Sequence, residues 1–398
     1  MIAYVSYDGA LEPLGRSQVV PYVIGLAESG LPITLISFEK PGDYGTPSAV
    51  SATARGLAAD LIAAGVRWLP LRYHKRPTLP ATLWDIGAGV MRLLGLRLTG
   101  KLRVVHARGY VAGLMAWVVK KLTGTKFVFD MRGFWPEERV DGGLWRADSR
   151  IFRVVKGLER RFLRDADRIV VLTDRARLEL RRRGVKPPVT VVPTCVDLDR
   201  FRPAAPASAA LTFVYAGSLG TVYPLDAMLA FIRRVRAREP RTRLLIVARA
   251  DHDLVSRAVT AARLDADVVT VKAVEHAAIP AVLGEASVGL AFYRPGFSRQ
   301  GTCPTKVGEY LACGLPVVVT AGVGDLDTLI TDHRTGVVVE AFTDAAYERA
   351  IDELEKLLLE PDLPARCRAL AERHFGLGAG VQRFVALHRA LEPAAVRA

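Results

Sequence analysis

Lys306 and Glu309 are the two residues of this sequence whose types and spacing suggest chemistry most directly. They lie three positions apart in the segment 301–316, which has the pattern of a loop, a short helix, a glycine stop and a buried strand. Residues three apart share a helix face, and a helix N-terminus offers free N–H groups and a partial positive charge to a phosphate. We expect Lys306 to add a full charge for a diphosphate and Glu309 to accept two hydroxyls of a ribose. The alternative is an ion pair on a solvated helix, worth roughly a few tenths of a kcal/mol.

The sequence also predicts where this short helix begins and ends. Pro304 lies where a first helical turn tolerates proline, and Gly314 is typical of a left-handed helix end. Val307, Tyr310 and Leu311 have the i, i+3, i+4 spacing that predicts a buried face.

The whole chain alternates short apolar runs with amphipathic stretches. Strands are predicted at 2–6, 33–38, 67–71, 104–106, 127–130, 169–172 and 189–192, and again at 212–216, 244–247, 268–271, 288–291, 316–319 and 337–339. Helical periodicity is found at 17–28, 111–122, 152–164, 344–359, 364–374 and 381–391. This alternation predicts parallel sheets with helices on both faces, and the proline-rich segment 194–210 is expected to link two domains. Ligands of such sheets bind at the carboxyl ends of strands, so we expect the site in a cleft between two Rossmann-like lobes.

Bulk properties narrow the class of protein. A chain of 398 residues is long for one core, and two domains of roughly 180 residues are expected. No apolar run reaches the length of about 18 residues that a membrane-spanning helix needs, and the N-terminus does not have the pattern of a signal peptide. Four cysteines without C-x-x-C spacing indicate buried free thiols in the cytoplasm.

The positive charge of the chain is concentrated in its first half. Residues 1–200 hold 32 Lys and Arg against 19 Asp and Glu, whereas residues 201–398 hold 23 against 22. This asymmetry favours an anionic bilayer or a lipid-diphosphate acceptor, with the basic segment 92–103 and its leucines as the expected contact. The sequence has no recognised nucleic-acid motif. Arginine enrichment in a GC-rich genome is the alternative explanation.

The segment 309–318 resembles the signature E-A-M-A-C-G-x-P-V-V of family 4 retaining glycosyltransferases, which have the GT-B fold. Four further segments between residues 9 and 220 resemble the same family in the right order. The resemblance implies an acceptor-binding domain at 1–193, a linker at 194–210, a nucleotide-sugar domain at 211–374 and a C-terminal helix at 375–398 that crosses back to the first domain. It also implies that Glu309 holds the nucleotide ribose.

The donor site implied by the resemblance lies mainly in the second domain. Its expected residues are Gly15, Gly217, Ser218, Arg249, Thr305, Lys306, Val307 and Glu309. We expect Gly15 to let the backbone approach a ligand, Ser17 to cap the first helix, and Gly217 and Gly220 to leave N–H groups free for a phosphate. The chain departs from the family pattern because Gly301 replaces the first glutamate of E-x7-E, and Ser218 and Tyr223 replace the usual Arg and Lys. Lys306, with Arg249 or Arg299, is expected to replace the lost charge.

The acceptor site implied by the resemblance lies in the first domain. The segment 130–138 is similar to a D-M-R-G-x-W-P-x-E branch found in envelope-polysaccharide enzymes, with Arg132 where many members have histidine. A guanidinium cannot act as a base, so a positional or electrostatic role is expected of Arg132. An ion pair of Arg132 with Glu137 or Glu138 is the alternative, and a structural role is favoured for His106. The expected acceptor-binding residues are Arg16, His106, Arg108, Asp130 and Trp135.

The residues and the resemblance together predict an enzyme that transfers a sugar from a nucleotide-diphosphate sugar to a lipid-linked or glycan acceptor. Retention at the anomeric carbon is implied by the resemblance alone. Arg132 and Lys306 are the expected catalytic residues, and no cofactor or obligatory metal is expected because no Asp-x-Asp motif ends a strand. The alternatives are a nucleotide-sugar epimerase and a binding protein that has lost catalysis. No G-x-G-x-x-G opens either lobe, which disfavours a dehydrogenase. The expected location is the cytoplasm, at the inner face of the membrane if the basic half binds lipid.

Overall fold

The computed structural model of the protein describes residues 1–46, 49–203, 210–220, 222–248 and 252–391. The chain divides into two compact units, each built around its own parallel sheet. Unit 1 comprises Met1–Pro136, Arg146–Pro193 and the segment that begins at Leu377, and unit 2 comprises Glu137–Trp145 and Thr194–Gly376. These two Rossmann-like units confirm the predicted α/β fold class.

Unit 1 is built on a sheet whose central strands are buried on both faces. Its strands are β1 (Ile2–Ser6), β2 (Ile33–Glu39), β3 (Gly45–Thr46), β4 (Ala49–Val50), β5 (Arg67–Arg72), β6 (Val104–Arg108), β7 (Lys126–Asp130), β8 (Arg168–Val171) and β9 (Val189–Val191). Seven of them are parallel in the order β5-β2-β1-β6-β7-β8-β9, while β3 and β4 pair antiparallel with each other. Burial on both faces explains why β1 is a nearly continuous apolar run in the sequence.

The helices of unit 1 connect these strands. They are α1 (Pro13–Gln18), α2 (Val20–Glu28), α3 (Pro41–Tyr44), α4 (Ala52–Ala63), α5 (Thr78–Leu98), α6 (Gly109–Thr123), α8 (Arg150–Asp165) and α9 (Asp174–Arg182). The helix α7 (Trp135–Asp141) begins in unit 1, and its residues from Glu137 onward belong to unit 2. The single helix predicted at 17–28 is therefore two helices, and the first begins four residues earlier. Ser17 lies inside α1, where its hydroxyl donates to the carbonyl of Pro13 at 2.9 Å, so the prediction that Ser17 caps the helix is wrong.

Unit 2 repeats the same alternation. Its strands are β10 (Thr212–Ala216), β11 (Arg243–Val247), β12 (Val269–Lys272), β13 (Val288–Ala291), β14 (Val317–Thr320) and β15 (Gly336–Val339), in the order β12-β11-β10-β13-β14-β15. Its helices are α10 (Leu225–Arg238), α11 (His252–Ala261), α12 (Ile279–Leu283), α13 (Thr305–Ala312), α14 (Leu326–Asp332), α15 (Asp344–Leu358) and α16 (Leu363–Leu370). Short 3-10 turns lie at Ala266–Val268, His276–Ala278 and Phe297–Gly301, and a π-type turn lies at Ala371–Phe375. Every strand predicted from the sequence is present, with ends that differ by at most two residues.

The helix α13 ends as the sequence predicts. Gly314 has a φ of +78°, and the N–H of Leu315 donates back to the carbonyl of Tyr310 at 2.9 Å. At the other end Pro304 is the capping residue that precedes the helix instead of its first helical residue. Tyr310 is fully buried against β13, where a Cβ atom on Gly289 would lie 2.2 Å from the Tyr310 ring. This close approach fixes α13 on the sheet.

The first part of the predicted linker is packed into unit 2. Phe201 is buried, and Arg368 of α16 donates to the carbonyls of Leu198 and Phe201 at 3.2 and 2.7 Å. The N–H of Val196 donates to the carbonyl of Phe375 at 2.7 Å. Residues 194–203 are therefore an integral part of unit 2, and the rest of the predicted linker up to residue 209 lies outside the described residues.

The last helix, α17 (Leu377–Arg389), belongs to unit 1, as the resemblance implies. The ring of Phe384 meets the ring of Tyr22 edge-on at a centroid distance of 5.1 Å. A Cβ atom on Gly25 of α2 would lie 2.6 Å from Val381, so the two helices approach closely because residue 25 is a glycine.

Within the described part of the chain, no helix has the length and apolar character needed to cross a bilayer. The four cysteines, Cys195, Cys303, Cys313 and Cys367, are free thiols as predicted, and Cys303 is the one that is only half-buried.

Candidate functional site

Lys306 lies in the first turn of α13 with its amine held against aromatic rings. Its Nζ atom is 3.8 Å from the ring centroid of Tyr215, at the end of β10, and 4.7 Å from that of Tyr223. The residue is 8% exposed, and Nζ has no hydrogen-bond acceptor among the described residues. Contacts with aromatic ring faces replace only part of the hydration free energy that an ammonium loses when it is buried. The amine therefore retains its capacity to bind an anion.

The turn after β10 closes over Lys306 because residue 217 is a glycine. Gly217 has a φ of +140°, and a Cβ atom at this position would lie 2.9 Å from Nζ of Lys306. Its N–H donates to the carbonyl of Val247 at 3.0 Å, so the prediction that Gly217 leaves a free N–H for phosphate is wrong. The structure does bring Gly217 and Lys306 together, as expected of one binding site.

Tyrosine hydroxyls hold this turn in place. The hydroxyl of Tyr310 on α13 accepts the N–H of Ala216 at 2.7 Å, which ties the helix to β10. The hydroxyl of Tyr215 donates to the carbonyl of Ser218 at 2.6 Å, and the side chain of Ser218 is exposed. Sequence reasoning did not assign these tyrosines to the site, although their position beside glycine turns was visible.

Burial of Lys306 and Glu309 changes how they titrate. Burial lowers the pKa of Lys306 to about 7, and the neighbouring Glu309 opposes this shift. Burial raises the pKa of Glu309 to about 7, opposed by Arg200 and Lys306. Both side chains are 8% exposed, and they form no ion pair within 4.0 Å among the described residues. The alternative of an ion pair on a solvated helix is therefore wrong.

Arg299 is a second cation beside the same aromatic cluster. Its guanidinium carbon lies 6.0 Å from the ring centroid of Tyr293, and Nζ of Lys306 lies 5.9 Å from that centroid. Arg299 is 6% exposed, and its Nε has no acceptor among the described residues. Burial raises the pKa of Glu138, and the nearby Arg299 opposes that shift.

The turn that carries Arg299 is fixed by a carboxylate distant in sequence. Asp141 accepts from the N–H of Ser298 at 2.9 Å and from its hydroxyl at 2.6 Å. Asp141 is 157 positions away along the chain. Sequence reasoning missed this contact because no local pattern links the two segments.

The remaining predicted donor residues differ in their surroundings. Arg249 lies outside the described residues, and Thr305 is half-buried at the start of α13. Val307 has a fully buried side chain and its N–H donates to Pro304 at 3.1 Å, so the prediction of a donor contact there is wrong. Gly15 is buried inside α1, and a Cβ atom there would lie 1.9 Å from the carbonyl oxygen of Gly9. The space at Gly15 is thus occupied by the chain itself and not open to a ligand.

Three predicted site residues of unit 1 lie around the buried carboxylate of a fourth, Asp130. Asp130 ends β7 and is completely buried, with His106 Nε2 at 3.6 Å, Arg132 at 3.8 Å and Arg108 at 4.0 Å. Arg108 and Asp130 are paired across β6 and β7. Burial alone would raise the pKa of Asp130, but Arg132, His106 and Arg108 outweigh it and hold the pKa below its ordinary value. This carboxylate therefore stays ionised and orients the two arginines.

Arg132 occupies an unusual backbone conformation. Its φ of +57° lies in the left-handed region, which a non-glycine residue rarely adopts, and Gly133 follows with a φ of +130°. Such strain costs of order 1–3 kcal/mol and persists where the surroundings impose it. The ion pair with Asp130 is one contact that holds Arg132 in this place.

His106 has a structural role. Its ring stacks on Tyr4 at 4.5 Å, meets Phe384 edge-on at 5.1 Å, and lies within hydrogen-bond distance, 3.1 Å, of His388 on α17. Because His106 has no exposed surface, the prediction that it contacts an acceptor is wrong, and the same burial excludes direct contact by Asp130. Sequence reasoning missed His388, since nothing local marks it.

The burial of Arg16 and Trp135 neither excludes nor requires contact with an acceptor. Arg16 and Trp135 are half-buried, and the Trp135 ring packs beside Tyr110 at a centroid distance of 5.5 Å. Their contact with an acceptor stays a prediction. Among the described residues, no group of three or more His, Cys, Asp or Glu side chains is arranged to hold a metal ion.

Comparisons with known proteins agree with this architecture. The family model described as a glycosyl transferase 4-like domain matches residues 18–195, and the model described as glycosyl transferases group 1 matches residues 210–356. D-inositol 3-phosphate glycosyltransferase 2 of Catenulispora acidiphila is 28% identical over 352 residues, covering 82% of this chain and 78% of that protein. The D-inositol 3-phosphate glycosyltransferase of Mycobacterium tuberculosis is 27% identical over 311 residues, covering 74% and 62%.

Solved structures share the fold over nearly the whole chain. Sucrose-phosphate synthase from Thermosynechococcus elongatus superposes with a TM-score of 0.73 at 17% identity, covering 98% of both chains. Anabaena HepE, solved in complex with UDP and glucose, gives a TM-score of 0.65 at 13% identity, covering 98% and 99%. The two parallel-sheet units and these likenesses define a protein of the GT-B fold class. The two family models, matched in order over residues 18–195 and 210–356, support a glycosyltransferase of the family 4 type.

Proposed function

We propose that this glycosyltransferase takes a sugar from a nucleotide-diphosphate donor and transfers it, with retention, to a lipid-linked or glycan acceptor. The observation that carries the proposal is the buried amine of Lys306, which lacks a hydrogen-bond acceptor among the described residues and lies beneath the Gly217 turn. A buried cationic group of this kind is costly unless a ligand supplies the counter-charge. A diphosphate supplies it.

Lys306 and Arg299 together would bind the diphosphate. Both flank the ring of Tyr293, and both are almost completely buried. In the reaction the bond between the anomeric carbon and the diphosphate oxygen breaks, and a bond to the acceptor hydroxyl oxygen forms. The hydroxyl proton passes to the leaving diphosphate. Fixed cations stabilise the negative charge that develops on this leaving group, which is the largest contribution expected of the protein.

Glu309 would hold the ribose of the donor. Its carboxylate lies one turn beyond Lys306 on α13, so a nucleotide bound along this helix face presents diphosphate and ribose to the two side chains. The structurally similar Anabaena HepE was solved with UDP-glucose, which supports a nucleotide-sugar donor for this fold. The nucleotide base is varied in the donor panel of the activity assay described below.

Arg132 would act on the acceptor side through position and charge. The ionised Asp130 holds it at the end of β7, and a guanidinium cannot remove a proton at neutral pH. The D-M-R-G-x-W-P-x-E resemblance supports a role in the synthesis of envelope polysaccharide in the cytoplasm. We propose that no metal ion is obligatory, so activity should persist when a chelator is added.

The direct test is an activity assay with a panel of nucleotide-diphosphate sugars, with products identified by mass spectrometry. We expect release of a nucleoside diphosphate from one donor and sugar transfer to a lipid-linked or glycan acceptor. Isomerisation of the donor without release of nucleotide would instead indicate an epimerase. Absence of both release and isomerisation across all donors, with all acceptors tried, would contradict the proposal.

A further inference from the structure

The outer face of α5 carries a stripe of apolar side chains that the protein leaves in solvent. Its members are large and between 57% and 89% exposed: Leu79, Leu83, Trp84, Met91 and Leu98. At about 100° per residue, they fall within roughly 140° of the helix circumference. Soluble proteins expose single apolar residues routinely, but a continuous stripe of this length indicates a binding surface.

The inner face of α5 is fully used by unit 1. Leu93 and Leu96 lie in the hydrophobic core, and the missing side chain of Gly89 leaves room for Met115 of α6, whose sulfur would be 2.4 Å from a Cβ atom there. Asp85 is buried and accepts from the hydroxyl of Tyr7 at 2.9 Å. The helix is therefore firmly packed on unit 1 through its inner face, and the outer stripe is not needed for the hydrophobic core.

The charges around the stripe are almost all positive. The exposed cations between residues 72 and 103 are Arg72, Lys75, Arg76, Arg92, Arg97, Lys101 and Arg103. None of them forms an ion pair within 4.0 Å in the described part of the chain. The only acidic residue in the same stretch is Asp85, which is buried on the opposite face. On a helical projection Arg97 falls on one border of the stripe, at the angle of Leu79, whereas Arg92 lies about 80° beyond the other border.

We propose that the outer face of α5 docks on the surface of an anionic lipid bilayer. Exposed Leu, Met and Trp side chains bordered by arginine are the composition of a helix that lies in the interface, with its apolar face in the boundary between headgroups and acyl chains. Arg97, on the border of the stripe, binds lipid phosphates. Charge complementarity selects the bilayer over a protein partner, because residues 72–103 offer exposed cations and no exposed carboxylate.

This surface differs from the contact expected from the sequence. The segment 92–103 was expected to bind through its leucines, but Leu93 and Leu96 are buried in the core. Of the leucines expected there, Leu98 is the one that belongs to the exposed stripe. The other members of the stripe lie earlier on α5, before residue 92. Among the basic residues of the segment, Arg97 is the one on the border of the proposed surface.

The test uses the full chain and vesicles made from equal parts of phosphatidylcholine and phosphatidylglycerol, with pure phosphatidylcholine as reference. Bound protein is measured by co-sedimentation at several salt concentrations. We expect binding to the anionic vesicles that falls as salt rises. The variant Arg97→Gln should bind roughly fivefold more weakly at low salt, since each basic residue near the surface contributes about 1 kcal/mol. The double variant Leu83→Ser/Trp84→Ser should bind the anionic vesicles at least roughly tenfold more weakly than the unchanged protein.

Two matched controls separate the α5 face from the rest of unit 1. Ile62→Ser removes an equally exposed apolar side chain from α4, and Arg160→Gln/Arg161→Gln removes two exposed cations from α8. Both should bind vesicles like the unchanged protein. All variants are at exposed positions, and circular dichroism melts check that they fold.

Three results would overturn the proposal. The first is no binding to anionic vesicles at low salt. The second is equal weakening by the α8 variant, which would indicate diffuse attraction of the whole basic unit. The third is that Leu83→Ser/Trp84→Ser converts a dimer into a monomer without lipid, which would make the stripe an interface between copies of this chain.

Discussion

The Nζ atom of Lys306 lies 2.9 Å from the position that a Cβ atom on Gly217 would occupy. One residue begins the turn after β10 and the other lies in the first turn of α13. The missing side chain at Gly217 therefore creates the space in which the lysine amine lies. Loss of that space should weaken the binding of any ligand that contacts the amine.

Gly217→Ala should displace Lys306 and weaken the binding of a nucleoside diphosphate by roughly tenfold or more, since a charged contact contributes about 1.5–3 kcal/mol. The positive φ of Gly217 adds backbone strain of order 1–3 kcal/mol. Calorimetric titration measures the first effect and thermal unfolding the second. Gly220→Ala is the matched control, because a Cβ atom at Gly220 meets nothing within 4 Å. Equal affinities of the two variants would contradict the prediction.

The preference for diphosphate over nucleoside should fall as pH rises above about 7. Burial lowers the pKa of Lys306 to about 7 in the free protein, and a bound diphosphate favours the ammonium and raises that pKa again. Binding therefore takes up a proton above pH 7, and affinity falls by up to about tenfold per pH unit until the pKa of the bound state is reached.

The neighbouring groups do not reverse this pH dependence. Burial raises the pKa of Tyr215 and of Tyr293, so these rings stay neutral in the same range. Glu309 also titrates near pH 7, but it is expected to affect nucleoside and diphosphate alike, and the ratio of the two affinities cancels it. Titrations in buffers of different ionisation enthalpy count the protons taken up. A ratio that stays constant between pH 7 and 9 would show that Lys306 does not contact the diphosphate.

Glu309→Gln should weaken a nucleotide by roughly tenfold while the fold is retained, because a carboxylate is lost as acceptor of two ribose hydroxyls and the shape is kept. A deoxynucleotide that lacks one of these hydroxyls should bind the unchanged protein more weakly. It should lose little further affinity in the variant, since both changes remove the same contact. Additive losses in this comparison would place the ribose elsewhere.

Arg132→Lys should lower kcat for sugar transfer by roughly tenfold or more without changing donor affinity. A lysine keeps the charge but not the planar fork that Asp130 orients at the end of β7. The left-handed φ at position 132 is the same for both residues, so stability should change little. Steady-state kinetics and a thermal melt are the measurements. If kcat is unchanged, Arg132 serves the structure of unit 1 alone.

The strands and the fold class were predictable because parallel strands buried on both faces are continuous apolar runs. β1, β10 and β14 are examples in which nearly every residue is apolar and buried. The pairing of Lys306 with the Gly217 region followed from the expectation that strand ends converge on one edge of a sheet. What failed were details that depend on packing, such as the start of α1 at Pro13 and the buried side chain of Val307.

The rest of the site depends on contacts between segments far apart in the chain. Asp141 fixes the turn of Ser298, and His388 meets His106 from α17. Neither contact leaves a local pattern in the sequence. The same reason explains the error at 92–103, because the choice of which leucines face outward is set by the packing of α5 on α6.

The most direct test of the diphosphate assignment is a calorimetric titration of nucleoside, nucleoside monophosphate and nucleoside diphosphate against the unchanged protein and Lys306→Met. Methionine has a similar length and no charge, and removal of a buried amine without an acceptor should leave the protein at least as stable. For the unchanged protein we expect affinity to rise steeply from nucleoside to diphosphate. In Lys306→Met we expect most of that rise to disappear, by roughly ten- to a hundredfold, while nucleoside affinity stays the same. A rise of equal size in both proteins, or equal weakening of all three ligands, would contradict the account.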